Sequence, residues 1–139
     1  MGDKAKKAYL AISFSDRKKF DDEIDQLHKT LTKCNIQLLV FVDKYCFNEN
    51  QEKEMMKAAF KEIDNSDFLI AELTIKSIGV GIEIGYAYSK KKPIIYLRRK
   101  GAAYSTTASG CSSHIIEYEN KIDLAEKIEF ALNEELKFQ

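Results

Sequence analysis

A short segment from Ser77 to Glu83 carries the residues of this 139-residue sequence that are best suited to chemistry. Two glycines, Gly79 and Gly81, allow a ligand to come close to backbone N–H groups. The helix expected to open here adds the positive end of its dipole, so the segment is suited to bind a phosphate or another anion. Glu83 then falls in the expected first turn of that helix, between two isoleucines.

The carboxylate of Glu83 is costly to hold in ionised form among apolar neighbours unless the helix N-terminus stabilises it. An ionised carboxylate at a pocket floor can attack an anomeric carbon or stabilise an oxocarbenium-like transition state. These are the needs of a glycosyl-transferring enzyme. The residues alone leave a second interpretation open, in which Glu83 faces water and only offsets the helix dipole.

Apolar runs of strand length alternate with segments of helical period along the whole chain. This alternation predicts an α/β, flavodoxin-like (Rossmann-like) three-layer sandwich with a five-stranded parallel sheet in the order 2-1-3-4-5. We expect one domain over residues 1–139. The predicted strands are 8–14, 36–42, 67–73, 93–97 and 114–118, and the predicted helices are 15–33, 51–64, one from about 81 to 90, and 122–136.

The connections of this fold should line the site. In such sheets, ligands bind beyond the carboxyl ends of the strands near the point where strand order reverses. We expect loops at 43–50 and 74–81, and a long loop at 98–113 of the kind that often binds ligands. The helix after Gly81 is apolar on nearly every side, which predicts that it is well buried.

Composition narrows the class of partner. The 22 basic and 22 acidic side chains cancel, so the overall charge does not favour nucleic acid or an anionic membrane. We expect a small-molecule or protein partner. Three cysteines without CxxC spacing predict neither a disulfide framework nor a metal site. No window approaches the roughly 20 apolar residues of a membrane span, and the N-terminus lacks a signal-peptide core, so we expect a cytoplasmic protein.

Residues 66–97, and above all the stretch GVGIEIGYA, resemble the core of the nucleoside 2-deoxyribosyltransferase superfamily. The similarity is strongest to its branch of 2′-deoxynucleoside 5′-monophosphate N-glycosidases. The resemblance implies that Glu83, in the pattern G-x-G-x-E-x-G, is the nucleophile that takes the deoxyribosyl group. It also implies that Ser77, beside Gly79 and Gly81, contacts the 5′-phosphate.

The same resemblance extends outside this core. It matches Tyr9 to the family's first-strand tyrosine and Ser13 to the serine after that strand, both at the substrate. It matches Ser105 to a serine that is supplied across a dimer interface. The resemblance therefore implies a homodimer with shared sites that acts on a nucleoside or nucleotide.

Two positions depart from the family pattern. Ala59 stands where these enzymes carry an aspartate that assists at the leaving base, and Ser15 stands where the monophosphate hydrolases carry an arginine. A carboxylic acid in an apolar pocket can hold its proton near neutral pH. We therefore consider Asp43 and Glu62 as substitutes for the missing general acid.

Two other functions stay open from the sequence. The opening AYLAISFSDRKKF is similar to Toll/interleukin-1 receptor domains, some of which cleave NAD at its glycosidic bond. A non-catalytic nucleotide-binding module is the other alternative. The interpretation we favour is an N-glycosidase or deoxyribosyltransferase acting through Glu83 on a nucleoside or its 5′-monophosphate, without a metal or organic cofactor.

Overall fold

The computed structural model describes residues 5–137, and a parallel sheet of five strands lies at its centre. The strands are β1 (Lys6–Ala11), β2 (Ile36–Val40), β3 (Phe68–Glu72), β4 (Ile94–Arg99) and β5 (His114–Tyr118). Their order in the sheet is β2-β1-β3-β4-β5, with every neighbouring pair parallel. The predicted flavodoxin-like fold and its strand order are confirmed.

Helices cover both faces of the sheet. A 3-10 helix (Phe14–Phe20) leads into α1 (Asp21–Lys33), followed by α2 (Phe41–Lys44), α3 (Glu52–Asp64), α4 (Ile78–Ser89), α5 (Thr106–Cys111) and α6 (Lys121–Lys137). Helices α1 and α6 pack on one face, and α3, α4 and α5 pack on the other. None of the helices within residues 5–137 combines the length and apolar character needed to cross a bilayer.

Alternation along β1 decides which side chains face the α4 layer. Leu10 joins the core beneath α1 and α6, whereas Tyr9 and Ala11 join the core beneath α3 and α4. This follows from the two-residue period of a strand. Because β3 lies beside β1 and leads into α4, the fold brings Tyr9 to the helix that carries Glu83.

The structure corrects several predicted element bounds. The first strand ends at Ala11 because the chain turns into the 3-10 helix, and the second ends at Val40 because the next four residues form α2. The loop predicted at 98–113 contains α5. Helix α4 begins at Ile78, so Gly79 and Gly81 lie inside the helix rather than in a loop, and Glu83 lies in its second turn.

The prediction that α4 is well buried is wrong for one of its faces. Val80, Ile84 and Ala87 are buried against the sheet, but Ile78 is 86% exposed and Ile82 is 48% exposed. An α-helix that packs on one side of a sheet can bury only about one stripe of side chains. The remaining apolar residues of α4 form an uncovered surface.

Candidate active site

Glu83 lines a cavity of about 200 Å³ beside the carboxyl ends of β1 and β2 and the first turns of α4. This is the crevice where strand order reverses, as expected for a sheet of this topology. The walls consist mainly of apolar side chains with a few small polar ones. The lining residues are Leu10, Ile12, Ser13, Phe14, Phe41, Val42, Met55, Met56, Ala59, Ser77, Gly79, Val80 and Glu83.

Tyr9 holds the carboxylate of Glu83 in a defined position. The phenol of Tyr9 donates a short hydrogen bond to Glu83 Oε2. Tyr9 is fully buried, with ring contacts to Phe41, so this donor has little freedom to move. The sequence matched Tyr9 to a substrate contact, whereas in the structure its hydroxyl is engaged with Glu83.

The surroundings of Glu83 change its acidity. Burial raises the pKa of Glu83 from 4.5 to about 7, and the hydrogen bond from Tyr9 acts in the opposite direction. Burial, together with the charge and hydrogen bond of Glu83, also raises the pKa of Tyr9. The expected stabilisation by the helix N-terminus is therefore weaker than desolvation, since Glu83 lies one turn further into α4 than predicted.

Two serines bring hydroxyl groups to the cavity. Ser77 is the N-cap of α4, and its Oγ accepts a hydrogen bond from the N–H of Val80. Ser13 follows β1, and its Oγ is 3.0 Å from Ser15 Oγ. With Gly79 on the same wall, the opening turn of α4 presents backbone N–H groups and hydroxyls at the edge of the cavity.

Asp43 lies outside the cavity lining and is held by Arg17. The guanidinium donates from Nε to Oδ1 at 2.8 Å and from Nη2 to Oδ2 at 2.9 Å. This bidentate pair engages both oxygens of the carboxyl group. The geometry therefore gives no support to Asp43 as a proton-bearing acid.

Glu62 also lies outside the lining, in a polar cluster beneath α3. Its Oε1 is 3.2 Å from Lys7 Nζ, and its Oε2 accepts from Lys44 Nζ at 2.7 Å and from Tyr45 Oη at 3.0 Å. Burial opposes ionisation of Glu62, but these donors outweigh it and lower its pKa. A carboxyl group with a lowered pKa is ionised at neutral pH and has no proton to give.

Ala59 places only a methyl group on the cavity wall, one turn along α3 from Met55. The sequence interpretation missed Met55, Met56, Phe14 and Phe41 as wall residues. Helical spacing could have found Met55, because it lies four residues before Ala59 and so shares its face. Phe14 is 76% exposed at the cavity, and no local pattern predicts that.

Ser105 lies in a different place, in a cavity of about 420 Å³ between α4 and α5. Gly81 lines this second cavity, and Ser77 lines both. Ser105 is the N-cap of α5, where its Oγ accepts from the N–H of Ala108 and its own N–H donates to Tyr96 Oη. Within one chain, the structure does not bring Ser105 to the cavity of Glu83.

Within residues 5–137, no group of three or more His, Cys, Asp or Glu side chains is placed so that it could hold a metal ion. The cavity of Glu83 presents one carboxylate, two serine hydroxyls and the start of a helix. Chemically, this set can bind a polar ligand at one end and attack an electrophilic carbon with Glu83.

Solved structures with the same fold include proteins of known activity. A conserved protein from Enterococcus faecalis V583 superimposes with a TM-score of 0.72 at 19% identity, over 92% of this chain and 99% of that protein. The CMP N-glycosidase of Clostridium botulinum superimposes with a TM-score of 0.67 at 24% identity, over 91% of this chain and 99% of that protein. The 2-deoxyribosyltransferase of Bacillus psychrosaccharolyticus superimposes with a TM-score of 0.65 at 15% identity, over 86% of this chain and 90% of that protein.

At these identities the superpositions establish the fold. No curated protein sequence matches the chain significantly. The model of one protein family, nucleoside 2-deoxyribosyltransferase, matches residues 8–127 and so includes most of β1, the residues that line the cavity, and α4. This match also decides between the two resemblances seen in the sequence: the chain belongs to the nucleoside 2-deoxyribosyltransferase family.

Proposed function

We propose that the protein cleaves the N-glycosidic bond of a nucleoside or its 5′-monophosphate, as an N-glycosidase or a deoxyribosyltransferase, with Glu83 as the nucleophile. One observation carries the proposal. The carboxylate of Glu83 is half-buried, faces the cavity at the strand-order reversal and is held by Tyr9. Membership of the family supports glycosyl chemistry at this position.

The mechanism follows from the position of these two side chains. A carboxylate oxygen of Glu83 attacks C1′ of the sugar, the bond from C1′ to the base breaks, and a glycosyl ester forms. The hydrogen bond from Tyr9 fixes Oε2, so that the carboxylate meets the sugar in one orientation. Water resolves the ester in a hydrolase, and a second base resolves it in a transferase.

The polar end of the cavity supports a 5′-phosphate on the substrate. Ser13, Ser77 and the first N–H groups of α4 together form the kind of site that favours an anion. The clostridial relative is named for its action on a nucleoside monophosphate, which agrees with this choice. A ligand with its phosphate at Ser77 would extend along the cavity toward Glu83.

The test is the release of free base from a panel of nucleosides, 5′-monophosphates and NAD, with and without an acceptor base. The Glu83→Gln variant should lose the activity while keeping its fold. Glu72 offers a matched control, because it is a buried carboxylate with a tyrosine partner, Tyr118, on the opposite face of the sheet. If the Glu83→Gln variant stays active, the proposed nucleophile is wrong.

We also propose that two copies of the chain form a homodimer through the uncovered face of α4. Ile78, Ile82 and Tyr88 are exposed there, and a Cβ added at Gly81 or Gly85 would contact nothing within 4 Å. A flat apolar helix face allows close packing against a second helix. Such packing would let Ser105 from a second copy reach the cavity that one chain leaves without it.

Subunit mixing tests this shared site. If each site uses Glu83 of one copy and Ser105 of the other, then equal amounts of the Glu83→Gln and Ser105→Ala variants should recover about a quarter of the wild-type activity. Sedimentation gives an independent test, since Ile82→Arg should yield monomers. Ile122→Arg is the control, because Ile122 is an exposed isoleucine on α6 in the other layer. A monomeric wild-type protein would refute the dimer.

A further inference from the structure

Within residues 5–137, no side chain of the cavity lining apart from Glu83 offers an acidic proton to a leaving base. Among the described residues that line the cavity, Glu83 carries the only carboxyl group, and Ser13 and Ser77 carry the only hydroxyl groups. A neutral base leaves a sugar readily only when a proton reaches it from a general acid. The wall around Ala59 is apolar at the position where the resemblance implies that acid.

Nearby ionisable groups do not fill this gap. Asp43 is paired with Arg17, and Glu62 is paired with Lys7 and Lys44, and both carboxyl groups lie outside the lining. The hydroxyl of Tyr9 already donates to Glu83, and its pKa is raised, so it is a poor acid. In the part of the chain that the structure describes, the site therefore combines a positioned nucleophile with no second acid for the departing base.

We propose that the preferred substrates carry a base joined to C1′ through a cationic ring nitrogen, as in an N-alkylated pyridine or a 7-alkylated purine. This inference rests on the proposed function of Glu83. A carboxylate oxygen of Glu83 forms a bond to C1′, and the electron pair of the breaking bond neutralises the ring nitrogen. The base then departs neutral and needs no proton. Water hydrolyses the ester and releases one proton to solvent.

The walls of the cavity suit a cationic aromatic ring. Phe14 is exposed at the cavity, and Phe41 belongs to a stack of aromatic rings with Tyr45 and Phe47. Cations bind favourably to aromatic faces, more so where water is excluded. A cationic ring also offsets the cost of ionising Glu83 in an apolar site, because opposite charges stabilise each other most in a low dielectric.

The experiment compares matched pairs of substrates that differ in the charge of the base. The probes are 7-methylguanosine 5′-monophosphate against guanosine 5′-monophosphate, and nicotinamide mononucleotide against its dihydro form, in ribose and 2′-deoxyribose versions. Free base is followed by chromatography, and each rate is divided by the rate without enzyme. We expect the cationic member to be cleaved faster and the neutral member to be accelerated no more than the cationic member, because a general acid would add about 100-fold or more to the acceleration of the neutral member alone. One proton per turnover should also be released with nicotinamide mononucleotide.

A variant with an acid restored makes the inference sharper. Ala59→Asp should raise the rate on the neutral members relative to the cationic members, and Ala59→Asn, which has the same size without the acid, should not. Ala59 is buried, so thermal melting checks that both variants fold. If neither folds, the wild-type substrate pairs alone decide.

The outcomes separate this inference from the proposed function. If the wild type accelerated the neutral members by about 100-fold or more above the cationic members, the inference would be overturned and the glycosidase proposal would stay intact. Wild-type silence on the cationic members would also overturn it. If the Ala59→Asp variant then released neutral bases, the proposed function would survive, and silence of both proteins on every probe would refute it as well.

Discussion

Replacing Glu83 with Gln should remove the activity and also the loss of stability that the wild type shows as the pH becomes alkaline. The cause is desolvation, which raises the pKa of Glu83 from 4.5 to about 7. The folded state therefore binds a proton more tightly than the unfolded state does. This stabilising contribution is fully present below pH 4.5 and is lost as the pH rises through about 7.

The size of the effect follows from the shift. At about 1.36 kcal/mol for each pKa unit, the wild type should lose about 3 kcal/mol of its free energy of unfolding between acid and alkaline pH through this one group. The Glu83→Gln variant does not titrate there and should not lose it. For a chain of this length, such a difference corresponds to a change in Tm of roughly 10 °C.

Urea denaturation of both proteins at about pH 5 and about pH 8.5 measures this difference. As the pH rises, the free energy of unfolding of the variant should increase relative to that of the wild type, whatever the difference between the two proteins at low pH. The Glu126→Gln variant is the control, because Glu126 is exposed on α6. The reasoning would be refuted if the E83Q variant and the wild type differed in free energy of unfolding by the same amount at both pH values. That result would mean that Glu83 is well hydrated.

Two further variants probe the neighbours of Glu83. Tyr9→Phe removes the hydrogen bond that lowers the pKa of Glu83, so the rise of kcat/KM with pH should move to higher pH. The value of kcat should also fall by roughly 100-fold, because the carboxylate loses its orientation. An unchanged pH profile would contradict this role of Tyr9. Phe14→Ala should raise KM by roughly 10-fold with little change in kcat, because stacking of a base on an aromatic ring contributes about 1–3 kcal/mol. Steady-state kinetics measures both, and an unchanged KM would show that Phe14 does not contact the base.

The fold was predictable from sequence because its signals are local. Each buried strand is a short apolar run, and each helix shows its own period, so strand order follows from the rules for parallel sheets. The hydrogen bond from Tyr9 to Glu83 spans 74 positions of sequence. Even so, it follows from topology, because β1 neighbours the strand that leads into α4.

The electrostatics of the site were not predictable in the same way. Asp43 and Glu62 suggested themselves as acids because each lies near the expected pocket in the chain. Their cations, Arg17 and Lys7, come from 26 and 55 residues away, and no local pattern indicates those pairs. The exposed face of α4 was not predicted for a related reason. The sequence of an apolar helix looks the same whether the sheet or a second molecule covers a given face.

Two tyrosine–glutamate pairs on opposite faces of the sheet show what separates a reactive carboxylate from a structural one. Tyr118 donates to Glu72, just as Tyr9 donates to Glu83, and burial raises the pKa of both glutamates. Glu72 also accepts the N–H of Thr74 and is enclosed beneath the α1 layer, so its hydrogen-bonding capacity is used within the fold. Glu83 has one donor and an open cavity in front of it. A desolvated carboxylate with unused capacity and room for a ligand favours a partner that brings positive charge, whether that charge develops on the sugar in the transition state or is already present on the base.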